Sequence, residues 1–351
     1  MSVPKFSVIL GNLGGTCDRF VSAGYKEPVT TEELVALAAS VDGLSGLELL
    51  GGADVTLQNV RGTAKLLRDH GLVCVSILPD LFSRRLWGRG SFSSRDREVR
   101  RLALDETRQA AELAGRLWCG LVNLWLGQDG YDYPLQADFG RQREWMLEAI
   151  KTVATEFPSL RFALEYKPKE PRNHSFQARA ADTLLMAQET GRPNVGVCLD
   201  VGHAFVAQEN PAESVWLLQH YGRRLFHMHY NDNYGHWDDD MIVGSVHLTH
   251  FLELGYWLKR TGYDGWHSMD LYPYREEGRG AVSESVAFLR EIEAALDGDH
   301  CSEIDRLIAA GDATASARWV RKFVFGGRHP RRPAPARRSA PPHHRLPEQR
   351  R

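Results

Sequence analysis

Arg161-Phe-Ala-Leu-Glu-Tyr166 and Gly196-Val-Cys-Leu-Asp200 are two short apolar runs that each deliver a carboxylate at the end, with a helical stretch over Arg179–Thr190 between them. A strand, a crossover helix and a second strand with both faces covered read this way. The alternation extends in both directions. It predicts further strands at Phe6–Leu10, Gly46–Leu50, Val73–Leu78, Gly120–Trp125, Leu225–Tyr230 and Trp266–Leu271. Helical patterns fall between them. Thr30-Thr31-Glu32-Glu33 opens one with a capping box and runs through Ala39. Asp96–Gly115 is amphipathic, with Val99, Leu102, Ala103, Thr107, Ala110 and Leu113 on one face. Arg141–Glu156, Ala212–Tyr221, Leu248–Thr261 and Glu284–Leu296 complete the set.

Eight alternations of strand and helix predict an α/β fold, a closed parallel (β/α)8 barrel. A doubly wound open sheet is the competitor, but no Gly-x-Gly-x-x-Gly follows the first strand. The organisation expected is a single barrel domain over 1–297, a helical extension over 298–325 and a basic Arg/Pro-rich disordered tail over 326–351. Within the extension, Ile304–Phe325 reads as one further helix. With 351 residues, 43% of them hydrophobic and 25% charged, the chain can bury a barrel core.

Five scattered cysteines form no Cys-x-x-Cys pair, which points to a reducing compartment. No apolar run suits a signal peptide or a bilayer span. The expectation is a soluble, cytoplasmic protein with no membrane partner. The net charge of −2 hides an asymmetry: from Gly326 onward eight arginines face one glutamate, so the body is acidic. An acidic body suits divalent cations and argues against a nucleic-acid partner.

Barrels place their chemistry at the C-terminal ends of the strands. Strand 5 ends in Glu165, strand 6 in Asp200, strand 7 in His229 and strand 8 in Asp270. Singly, each has an ordinary reading as a strand-end charge, a helix cap, a core histidine or a turn residue. Together they are a metal-type donor set for Mn²⁺, Mg²⁺ or Co²⁺, and a cation relieves their mutual repulsion. A second cluster adjoins them: His203, three residues after Asp200, and Asp238-x-Asp240 beyond strand 7. With Asp200 bridging, these residues can hold a second ion. Lys167 lies two residues past Glu165 and so on the same side of an extended segment. Phe92 and Trp125 offer aromatic walls to a sugar or serve as core. His220, His236, His247, His250 and His267 are read as surface or structural residues.

Several motifs resemble the xylose isomerase family. The match starts with Asp80-Leu-Phe-Ser-Arg and the segment from Gly90 to Leu104, and continues in Leu124-Trp-Leu-Gly-Gln-Asp-Gly130. Phe162-Ala-Leu-Glu-Tyr-Lys-Pro-Lys-Glu-Pro-Arg172 is the most specific part. Phe226-His-Met-His-Tyr-Asn-Asp and Trp237-Asp-Asp-Asp-Met-Ile-Val-Gly244 follow.

The resemblance implies a metal-dependent aldose–ketose isomerase using a 1,2-hydride shift, with two metals per chain and a dimeric or tetrameric assembly. Glu165, Asp200, His229 and Asp270 would hold one metal. Asp200, His203, Asp238 and Asp240 would hold the catalytic one. Lys167 would contact the substrate's O1, and Phe92 and Trp125 would wall the pocket.

Two departures qualify this reading. Asp200 and His229 are similar to the ligands of bacterial L-rhamnose isomerases. And Leu47-Glu-Leu-Leu-Gly-Gly-Ala-Asp54 lacks the ring-opening His-Asp pair. The nearest alternative is a single-metal epimerase working through an enediolate, or a lyase acting on an oxidised sugar glycoside or C-glycoside. A nuclease would want a basic rim, and a non-catalytic sugar-binding barrel would not need Lys167, His203 and both aspartates.

Overall fold

The computed structural model describes residues 4–15, 17 and 20–326. Eight parallel strands close into a barrel: β1 (Lys5–Ile9), β2 (Leu44–Gly51), β3 (Val73–Pro79), β4 (Leu121–Trp125), β5 (Arg161–Glu165), β6 (Val195–Asp200), β7 (Leu225–Tyr230) and β8 (Trp266–Met269). Neighbours in the barrel are neighbours in sequence, and β8 closes on β1 through Lys5↔Trp266 and Val8↔Met269. This is the (β/α)8 TIM barrel the alternation predicts.

The layer of helices consists of α1 (Thr31–Ala39), α2 (Val60–Asp69), α3 (Arg97–Arg116), α4 (Phe139–Glu156), α5 (Ala180–Glu189), α6 (Val201–Val206), α7 (Pro211–His220), α8 (Leu248–Thr261) and α9 (Gly278–Ala295). α1 starts as its sequence dictates: the Thr30 hydroxyl accepts from the Glu33 amide, and the Glu33 carboxylate accepts from the Thr30 amide. On α3 the buried face is Ala103, Thr107, Ala110, Ala111, Leu113 and Ala114, so Leu102 falls off the expected stripe and is exposed. The helices α2 and α6 lie outside the helices expected from sequence; α6 is only six residues long, below what periodicity can reveal.

At the rim, Gly130–Tyr131 and His174–Ser175 pair antiparallel and tie the loop after β4 to the loop after β5. Between β2, β3 and β8 the packing is close. A Cβ on Gly46 would stand 2.4 Å from Val75 Cγ2 and 2.8 Å from the Trp266 ring.

The barrel lumen departs from the apolar reading of the strands. Glu48 on β2 contacts His227 and His229 on β7, although β1 and β8 separate those strands in the barrel wall. A polar layer therefore crosses the interior.

The described residues divide into two compact units, the first ending at Gly298 and the second beginning at Asp299. In the second unit the single helix expected over Ile304–Phe325 is two, α10 (Gly298–Ala310) and α11 (Ala313–Phe325). Gly311 takes a left-handed φ of +61° and the Asp312 carboxylate caps the second helix. Neither helix buries a residue. The basic tail expected at 326–351 lies, apart from Gly326, outside the described residues.

Candidate metal centre

The strand ends bring four predicted residues to one point. Ligand atoms of Glu165, Asp200, His229 and Asp270 all lie within 4.8 Å of one another. Asp270 stands one residue past β8, where its amide still donates to the Tyr230 carbonyl of β7. His229 Nδ1 is 3.2 Å from Asp270 Oδ2 and 3.4 Å from Glu165 Oε2, yet aligned for a hydrogen bond with neither. Donor atoms that converge on a common point instead of on each other are what a cation site requires. The donor set of three carboxylates and one imidazole fits a hard or borderline divalent ion.

Three asparagines hold the carboxylates in place. The side-chain amide of Asn123 donates to Glu165 Oε2 at 2.6 Å, and that of Asn12 to Asp270 Oδ1 at 3.1 Å. That of Asn231 reaches both Asp200 oxygens at 3.0 and 3.2 Å. Gly202 makes the last contact possible, because a Cβ there would lie 1.7 Å from Asn231 Oδ1. Asp200 also caps α6, accepting the His203 amide at 2.7 Å. Burial pushes the Asp200 carboxyl up to about 7; the neighbouring His203 opposes this, while the carboxylates of Asp238, Asp270 and Glu165 add to it. That is the unrelieved repulsion of an acidic cup.

The second cluster is partly assembled. Ligand atoms of Asp200, His203 and Asp238 lie within 4.8 Å of one another, and Asp240 is not in that group. The chain turns through a left-handed φ of +48° at Asp240, leaving its side chain half-buried beside the cluster. Burial and the charges of Asp238 and Asp270 hold its carboxyl well above the usual range. His203 Nε2 meets Asp238 Oδ2 at 3.0 Å, and Lys167 Nζ meets the same oxygen at 2.7 Å and Glu170 at 3.1 Å. Burial would raise Asp238; the cations of Lys167 and His203 outweigh it and hold the carboxyl low. Burial would lower His203; Asp200 and Asp238 instead bring it up to about 9. Its Nδ1 has no hydrogen-bond partner and lies 3.5 Å from Glu165 Oε1.

The aromatic residues part company. Trp125 is half-buried, with Lys167 Nζ 5.5 Å from its ring centroid and Phe82 edge-on at 4.7 Å. Phe92 is fully buried in the hydrophobic core and presents no ring face. Its loop is pinned inward by Asp129, which accepts the Ser91 amide at 2.9 Å and the Ser93 amide at 2.5 Å.

Sequence reading missed Glu48, Asn12, Asn123 and Asn231. Two of them carried a signal. Glu48 interrupts Leu47-Glu-Leu-Leu50, and Asn123 interrupts Leu121-Val-Asn-Leu-Trp125. A polar residue inside a run buried on both faces needs a polar partner. Glu48 is completely buried. Burial would raise its carboxyl, but His227 and His229 outweigh that and hold it well below the usual range.

Solved structures similar to this chain share the barrel. A D-tagatose 3-epimerase-like protein is 21% identical, with a TM-score of 0.64 over 83% of this chain and 98% of its own. An L-ribulose 3-epimerase is 17% identical, with a TM-score of 0.65 over 87% and 98%. The 3-keto-D-glucoside 4-epimerase of E. coli is 17% identical, with a TM-score of 0.63 over 82% and 99%. A sequence profile of the xylose isomerase-like TIM barrel family matches residues 35–292. With eight strands closed in that order and the motifs inside the matched span, this chain belongs to the xylose isomerase-like TIM barrel family.

Proposed function

We propose that this protein is a divalent-metal-dependent sugar epimerase that inverts a carbon next to the carbonyl of an open-chain keto sugar. The carrying observation is the placement of two carboxylates on one cup. Glu165 comes from β5 and Asp270 from the end of β8, with β6 and β7 between them, and both approach His229 Nδ1. The similar structures carry epimerase names, which favours this reading over the aldose–ketose isomerase the motifs suggest.

Inversion needs a base on one face of the reacting carbon and an acid on the other. Glu165 would take the C–H proton, leaving an enediolate, and Asp270 would relay a proton from solvent to the opposite face. Solvent exchange would then restore both groups. Glu165, Asp200, His229 and Asp270 would hold a divalent ion, which would supply the Lewis acidity that withdraws electron density from the carbonyl. Asn123 and Asn12 would fix the two carboxylates, so that little reorganisation accompanies proton transfer. Lys167 would donate to a substrate oxygen and stabilise charge growing there. Trp125 would present an apolar face to the sugar and exclude water.

A second reading is aldose–ketose isomerisation at two metal ions. The observation favouring it is the buried Lys167–Asp238–His203 group beside the first cup. A reaction in D₂O separates the two. Chelator-stripped protein is reloaded with Mn²⁺ and given a panel of ketoses and aldoses. One solvent deuterium at an inverted carbon, with the carbonyl in place, supports the epimerase. Carbonyl migration without deuterium uptake supports the hydride-shift isomerase and overturns the main reading.

A further inference from the structure

The lumen of the barrel holds a polar group that the proposed chemistry does not use. Glu48 on β2 receives three donors. His227 Nε2 lies 2.8 Å from its Oε1, His229 Nε2 lies 3.2 and 3.4 Å from its two oxygens, and the Ser76 hydroxyl donates to Oε2. All four side chains are buried, at 1% exposure or less. The β2–β3 ladder shifts register between Leu47 and Glu48, which sets Ser76 directly opposite Glu48. A local irregularity of this kind re-aims a side chain next to a functional site.

An ionised carboxylate has only lone pairs to offer, so each imidazole facing it must present an N–H. His229 then carries its shared proton on Nε2. Its other nitrogen, Nδ1, faces the cup among Glu165 and Asp270, without a hydrogen-bond partner. His227 approaches the same Oε1 from a neighbouring position on β7, its ring nearly perpendicular to that of His229 with centroids 5.0 Å apart. It pins Glu48 so that the carboxylate does not follow the ring it orients.

We propose that Glu48, held by Ser76 and His227, is the positioning residue that fixes the tautomer and ring angle of His229, so that its Nδ1 lone pair is the atom offered to a divalent cation. The inference rests on the metal-cup reading above. A carboxylate behind a ligating imidazole raises the basicity of the ligand and locks its orientation, and loss of such a partner weakens metal binding about 10- to 100-fold. Glu48 touches neither cation nor substrate in this arrangement; it acts through His229.

The test is Mn²⁺ affinity, measured by competition with a chromophoric chelator on stripped full-length protein. Glu48→Gln keeps the shape but replaces one acceptor oxygen with an N–H₂ group that faces an imidazole N–H. The expected result is a Kd for Mn²⁺ raised about 10- to 100-fold, with the far-UV circular dichroism unchanged. A folded E48Q protein binding Mn²⁺ within about twofold of wild type overturns the inference and leaves the cup standing. A wild type that binds no Mn²⁺ overturns both.

Should E48Q fail to fold, the wild type decides alone. Long-range ¹H–¹⁵N correlations of the metal-free, ¹⁵N-histidine-labelled protein, recorded at a pH where the ring is neutral, must show His229 protonated on Nε2. A proton on Nδ1 overturns the inference, whereas a merely structural Glu48 would not fix which nitrogen carries it.

Discussion

Lys167 Nζ lies 2.7 Å from Asp238 Oδ2, and both side chains are almost completely buried. Taking two charges out of water is costly, and a buried pair persists only where its geometry is good and further hydrogen bonds complete it. Here His203 supplies the further partner at 3.0 Å. Lys167→Met should therefore leave Asp238 with His203 as its remaining cation. It should cost about 3–5 kcal/mol of stability and lower turnover by about 10²-fold or more. Chemical denaturation and steady-state rates on the sugar identified in D₂O measure the two effects. Wild-type values for both would remove Lys167 from the site.

The crowded carboxylates make a second prediction. Divalent cation binding to the folded state alone should stabilise the protein by about 2.7 kcal/mol at a hundredfold excess over Kd. Asp200 bridges both clusters, so Asp200→Ala should abolish most of that gain. Thermal melts with and without Mn²⁺ read it directly. A wild-type melting temperature indifferent to every divalent ion tried would sink the metal reading.

Gly202→Ala probes how Asp200 is held. Its Cβ would lie 1.7 Å from Asn231 Oδ1, so the carboxamide must move and Asp200 loses two hydrogen bonds. Overpacking a tight site costs about 1–3 kcal/mol, and displacing an outer partner of a ligand weakens metal binding about tenfold or more. An unchanged Mn²⁺ affinity in G202A would show that Asn231 does not orient Asp200.

His267 sets a pH dependence away from the site. Its Nδ1 is hydrogen-bonded to the Tyr230 hydroxyl, 2.8 Å away. Burial, with help from the charges of His227 and Lys5, lowers it from 6.5 to about 4. Between those values the unfolded chain binds the proton and the folded one does not, so stability rises with pH across that window. The contribution is fully lost below about pH 4 relative to its value above 6.5, a change of order 3 kcal/mol. His267→Gln should flatten the wild-type slope between pH 4 and 6.5 without altering it above 7. A slope identical in the two proteins would contradict the assignment.

Strand and helix alternation, the four donor residues at consecutive strand ends and the capping of α1 by Thr30 and Glu33 were legible in the chain alone. They depend on local periodicity and on residue type at a strand terminus, both of which one sequence displays. The break between α10 and α11 was equally available, in Gly311-Asp312, and reading Ile304–Phe325 as continuous overlooked it.

What tertiary structure alone decided is what comes together across the barrel. Glu48 and His229 are 181 residues apart, and Asn12 and Asp270 are 258 apart; no spacing announces either pair. Asp240, at a left-handed φ, stays outside the group that includes Asp238, and Phe92 lies in the core on a loop whose Ser91 and Ser93 amides Asp129 holds. Periodicity along the chain fixes which residues face inward on each strand. Only closure of the sheet, with its register shifts, decides which inward residues meet, and so which nitrogen of His229 is left facing the cup.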